Sequence, residues 1–144
     1  MLFIDKKGCM DASELLWILD DIANIKDTLP WQPFSADQRD KVGIIWLFDS
    51  RAATPPGSAA ALLRYQPGAR GALHLHPGYE LIFVLEGTLE TASGILHAGT
   101  LEVCTPGSVH SPSSVQGCVL LVVWEKPVIV QPPGKRNSLH MRSA

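Results

Sequence analysis

Residues 68–110 read GARGALHLHPGYELIFVLEGTLETASGILHAGTLEVCTPGSVH. Four side chains of the kinds that bind first-row metals stand inside this stretch: His74, His76, Glu80 and His110. His74 and His76 are two residues apart, so on a β-strand both project from one face. Pro77-Gly78 then breaks the strand with turn chemistry. Glu80 opens the next apolar run, ELIFVLEG, and an antiparallel return would bring it back beside the two histidines. His110 follows after two further short strand-like segments. Three imidazoles and one carboxylate, with positions left for water, suit Fe(II) or Zn(II), and also Mn(II), Ni(II) or Cu(II).

The spacing resembles that of the cupin superfamily. Its first motif runs G, five residues, HxH, three or four residues, E, six residues, G, and here Gly68, His74, His76, Glu80 and Gly87 meet every interval. The second motif runs G, five residues, PxG, two residues, H, three residues, N. Gly99, Thr105, Gly107, His110 and Ser114 stand at those positions, with threonine in place of the proline and serine in place of the asparagine. Both departures fall where the turn is shaped or the strand closes, so the ligand set is intact. The resemblance implies one divalent transition metal ion held by His74, His76, Glu80 and His110. Some cupin metals are held without the glutamate, which would then be free to act as a base.

A narrower resemblance is to the cupin domain of ChrR-type anti-sigma factors and its single-domain relatives. It rests on Pro30-Trp31-Gln32-Pro33, Leu63-Arg64-Tyr65, Leu85-Glu86-Gly87, the run from Pro106 to Pro112, and Gly117-Cys118, which together span roughly residues 30–125.

The rest of the chain agrees with an all-β fold. Segments 42–48, 59–65, 71–76, 80–86, 88–92, 95–97, 100–104, 117–124 and 127–131 read as strands between Gly/Pro turns, with no helix among them. The expected fold is therefore a double-stranded β-helix, a jelly-roll barrel, over residues 30–131. An N-terminal extension occupies residues 1–29 and a tail occupies 132–144. Residues 11–24 carry Leu15, Leu16, Ile18, Leu19 and Ile22 at helical spacing, with Asp11 and Glu14 placed as a capping box. A short helix or an extended arm both fit the extension. Val119–Trp124 is apolar at every position, so both its faces need cover, from the barrel interior and from another layer or subunit. If Glu80 points inward, Ile82 and Val84 follow it as a pocket wall.

Other candidates have plainer readings. Tyr79 should face away from the site by strand parity. Arg64 and Tyr65 straddle two faces: one enters the pocket, or Arg64 makes a salt bridge at the rim. Cys104 and Cys118 read as small buried hydrophobes, Trp17, Trp31, Trp46 and Trp124 as packing aromatics, and His97 and His140 as surface residues.

Composition sets the outer bounds. A chain of 144 residues, 46% hydrophobic and 18% charged, suits one well-buried domain. A net charge of −2 gives no general surface for nucleic acid. No apolar run reaches membrane-spanning length, and the N-terminus lacks the apolar segment of a signal peptide, so a cytoplasmic protein is expected. Cys9, Cys104 and Cys118 fit reduced thiols better than a disulfide framework. The resemblance further implies a homodimer that takes a small-molecule ligand or substrate in its barrel. The favoured reading is a metal-dependent enzyme, such as an Fe(II) dioxygenase acting on a small organic molecule. The alternative is a ChrR-like zinc-binding module that senses a ligand without catalysis. Against an anti-sigma role, residues 1–29 are short for a separate zinc-binding helical domain, and Cys9 alone does not supply its ligands.

Overall fold

A computed structural model describes residues 21–34 and 40–131. Of the helix expected over residues 11–24, most lies outside the described residues, as do Cys9, Trp17, His140 and the tail. Within them, Ile22–Ile25 forms a single helical turn (α1), continued by a 3-10 turn over Lys26–Thr28.

Eleven strands follow among the described residues: β1 (Gln32–Pro33), β2 (Asp40–Asp49), β3 (Ala59–Arg70), β4 (His74–Leu75), β5 (Glu80–Thr91), β6 (Gly94–His97), β7 (Leu101–Cys104), β8 (Val109–His110), β9 (Ser113–Ser114), β10 (Cys118–Trp124) and β11 (Ile129–Val130). The larger sheet orders β1-β2-β3-β10-β5-β6, with β7 beside β5 and β9 bridging β3 and β5. A smaller sheet orders β11-β4-β8. The two sheets close into the expected jelly-roll barrel.

Two layers of apolar packing hold the barrel. Alternation along β2 and β3 sends Ile44, Trp46, Leu63 and Tyr65 inward to meet Val84, Leu120 and Val122. The intervening Ile45 and Leu62 join Val119 on the outer face, where Ile22 and Leu29 cover them. The second face of the all-apolar strand β10 is thus partly covered by the chain's own N-terminal segment. Two ion pairs at the edge fix that segment, Lys26 to Glu86 and Arg64 to Asp27. Leu62 is fully buried here, which stabilises the fold by about 1.5–3 kcal/mol relative to an exposed position. The cover ends before β7, whose Leu101 and Val103 stay 55% and 53% exposed.

Two long strands run through turns expected from the sequence. β3 continues across Gln66-Pro67-Gly68, and β5 continues across Gly87. Glycine makes this possible in β5: Gly87 sits at φ +78°, in the left-handed region. A Cβ there would lie 2.1 Å from the Gly117 carbonyl oxygen, on the neighbouring segment. Just before it, the register with β10 slips between Val119 and Leu120, so Leu85 is an extra residue in the ladder. The bulge reverses the strand's phase. Glu80, Ile82 and Val84 face in before it, and Leu89 faces in after it.

The close approach at Gly87 is testable by urea unfolding. Gly87→Ala is expected to cost about 3 kcal/mol or more, from backbone strain plus the clash. Gly94 also has a positive φ but no neighbour within 4 Å, so Gly94→Ala is expected to cost only about 1 kcal/mol. Equal losses would contradict the packing argument.

Candidate metal centre

His74 on β4 lies directly opposite His110 on β8 in the smaller sheet. The ladder extends one rung past the end of β4. The His76 amide donates to the Ser108 carbonyl at 2.9 Å, and the Gly107 amide donates to the His76 carbonyl at 2.7 Å. His74 and His76 therefore share one face, as their spacing predicts. Glu80 arrives differently from the expected hairpin return. Its strand pairs with β10 and β7, whereas β4 pairs with β8 and β11, so the carboxylate meets the histidines from the other sheet. The brief β4 and the Pro77-Gly78 turn carry the chain from one sheet to the other.

All four side chains are buried. The three imidazole rings stand nearly perpendicular to one another, with centroids 4.5–5.0 Å apart. His110 Nε2 lies 2.9 Å from His74 Nε2 and 3.5 Å from Glu80 Oε2, and His74 Nε2 lies 4.0 Å from the same oxygen. Donors each about 2.0–2.2 Å from one ion sit within about 4.4 Å of each other, so these separations fit a single ion between them.

The far sides of two rings are already engaged. His74 Nδ1 lies 2.8 Å from the Ala72 carbonyl oxygen, which can only accept, so Nδ1 carries the hydrogen. Ser108 Oγ donates to the Thr105 carbonyl at 2.6 Å and so accepts from His76 Nδ1 at 3.0 Å. In both rings the Nε2 lone pair is left pointing into the cluster. His76 Nε2 and Glu80 Oε2 press against each other, yet neither has a partner of hydrogen-bond geometry. Orphaned buried acceptors of this kind are costly unless a cation lies between them. Burial alone would raise the Glu80 pKa. The adjacent imidazoles of His74 and His76, with charge at His110, outweigh it and hold the carboxyl well below the usual range. The donor set fits a divalent transition metal, and the cluster could bind one.

The remaining candidates fall outside the cluster. Tyr79 is 51% exposed. Arg64 makes the expected rim salt bridge, with Asp27, while Tyr65 is buried in the core. His97 is exposed on β6, opposite Thr88. Trp46 and Trp124 pack together in the core at 5.8 Å between centroids. Ile82 and Val84 follow Glu80 inward as expected, but they pack in the apolar core and are not among the residues lining the cavity beside the histidines, so they do not form the expected pocket wall. Cys118 is buried, and its thiol is pushed up to about 12 mainly by that burial.

Two further residues belong beside the site: Glu102, which sequence reasoning passed over, and Cys104, which it read only as a small buried hydrophobe. Cys104 pairs directly with Glu80 across β7 and β5, and Glu102 pairs with Ile82. Ligand atoms of Glu102, Cys104 and His110 all lie within 4.8 Å of one another. The signal was the alternation in Leu101-Glu102-Val103-Cys104, whose polar face turns inward.

A family model described as the ChrR Cupin-like domain matches residues 20–127. The chain belongs to that family. Solved structures agree on the fold. An acetylacetone dioxygenase from Acinetobacter johnsonii superposes with a TM-score of 0.63 at 14% identity, covering 79% of this chain and 87% of that one. The polyketide cyclase RemF from Streptomyces resistomycificus gives 0.58 at 18% identity, covering 78% and 89%. The Rhodobacter sphaeroides complex of SigE with the anti-sigma ChrR gives 0.57 at 21% identity, covering 85% of this ChrR-like chain and 60% of that one. Among curated proteins none matches the chain.

Ser108 offers a test of the ring-orienting bonds. Titrated with Zn(II) or Co(II), Ser108→Ala is expected to bind about 10–100-fold more weakly than the native protein while keeping its fold. Unchanged affinity would contradict the role assigned to the Ser108 hydroxyl.

Proposed function

We propose that this ChrR-like cupin holds one divalent transition metal through His74, His76, Glu80 and His110. We propose further that it is a metal-dependent enzyme, an Fe(II) dioxygenase acting on a small organic molecule. One observation carries the reading: buried Nε2 and carboxylate acceptors converge on one point, with no hydrogen-bond partner for His76 Nε2 or Glu80 Oε2. A cavity of ≈ 570 Å³ reaches His76 and His110 and has the size of a small-molecule site. Bound iron would supply the redox and Lewis-acid chemistry that lets O2 react with an organic substrate. The protein's own part is to orient and to shield. Ala72 and Ser108 fix two ring tautomers, and the bulged strand β5 sets Glu80 against them. Similarity to an acetylacetone dioxygenase supports the reading at the level of fold only.

The family match favours a second reading, in which the same site holds zinc and ligand binding alters contacts with a protein partner. The two separate in one experiment. Protein purified without chelator is assayed for metal, then loaded anaerobically with Fe(II) and followed for oxygen uptake with small diketones, phenols, thiols and carboxylates. Iron with substrate-dependent uptake is expected for the enzyme. Tightly held zinc with no uptake supports the sensing module.

His76→Ala tests the ligand assignment beneath both readings. The variant is expected to fold, because the core is apolar, and to lose more than the ~10–100-fold in affinity that an orienting partner contributes. Stoichiometric metal in purified His76→Ala would overturn the assignment.

A further inference from the structure

Strand β7 is turned inside out. In a strand that only closes a barrel, apolar residues face in and polar ones face water. Here Leu101 and Val103 are exposed, while Glu102 and Cys104 point to the interior. An inward carboxylate has to be stabilised, and the fold supplies donors for it. Thr91 Oγ1 donates to Glu102 Oε2 at 3.0 Å, and the Cys104 thiol donates to Oε1 at 3.5 Å. Cys104 is a buried free cysteine. A hydroxyl and a thiol hold the Glu102 carboxyl group, and neither is a cationic partner. Each carboxylate oxygen keeps acceptor capacity.

Glu102 also borders the cavity that reaches the histidines. No lysine or arginine is present among the described residues that line it. A carboxylate oxygen of Glu102 lies within 4.8 Å of a ring nitrogen of His110, so a small molecule bound beside His110 would be within reach of Glu102.

Resting on the metal reading above, we propose that Glu102 sets the ligand specificity of the site. It selects small molecules that carry a protonated amine close to their metal-binding group, and it excludes those that carry a carboxylate there. The amine would donate to Glu102 in a charge-assisted hydrogen bond inside the cavity, where such bonds are strong. A ligand carboxylate near Glu102 would meet a like charge, with no lysine or arginine among the described residues lining the cavity to offset it.

Matched hydroxamates test this on the Co(II)-loaded protein. β-Alanine hydroxamate, propionohydroxamate and succinic monohydroxamate share the metal-binding group and differ in a cationic, neutral or anionic end. Calorimetry gives affinities, and elemental analysis gives metal per chain. The native protein is expected to bind the cationic probe at least about tenfold tighter than the anionic one. In Glu102→Gln the ratio is expected to collapse to within about threefold, with metal content and fold unchanged. The same ratio in both proteins, or native preference for the anionic probe, overturns the inference. Loss of metal from Glu102→Gln also overturns it, because the residue would then be a ligand. Native protein that holds one Co(II) but does not discriminate sinks this inference alone. Native protein that holds no Co(II) and binds no hydroxamate sinks the metal reading with it.

Discussion

Packing three imidazoles and a carboxylate against one another inside a protein is unfavourable unless shared protons or a cation satisfy their converging acceptors. Each buried acceptor left without a donor costs about 1–3 kcal/mol. This barrel buries His76 Nε2 and Glu80 Oε2 in that condition, side by side. It also ties off the opposite nitrogens of His74 and His76, so those rings cannot relieve the strain by turning. A metal ion bound there would resolve the conflict, and the surrounding structure holds these groups in place for one.

That holding depends on two sheets meeting. The smaller sheet places His74 opposite His110 and carries His76 one rung further. The larger sheet supplies Glu80 from β5, flanked by Trp124 on β10 and Cys104 on β7. The bulge at Leu85 and the left-handed Gly87 bend β5, so that Leu89 also returns to the core. A bend there could not be made by a residue with a side chain, because the Gly117 carbonyl occupies its place. Fold and site thus share the same strand.

Much of this was legible from residues alone. The HxH spacing puts two imidazoles on one face, and the alternation after Glu80 puts Ile82 and Val84 inside; neither depends on distant contacts. The all-apolar run in β10 correctly called for cover on both faces, and Ile22 and Leu29 provide it on one. What escaped depended on tertiary choices. Sequence suggested that Glu80 returns beside β4 as a hairpin, but two-residue β4 pairs instead with β8 and β11. Gly87 looked like a strand end, because a glycine in a turn and a glycine beside a bulge leave the same trace. The inward face of β7 was also not legible. The alternation in β7 shows that the strand has two faces, but only the pairing of Cys104 with Glu80 shows which face is inside.

Anomalous scattering from crystals of the metal-loaded protein tests the central claim most directly. The account expects one metal peak per chain, within about 2.0–2.3 Å of His74 Nε2, His76 Nε2, His110 Nε2 and a Glu80 carboxylate oxygen. A peak bound elsewhere, or crystals of loaded protein with these four side chains still in contact and no metal between them, would contradict it.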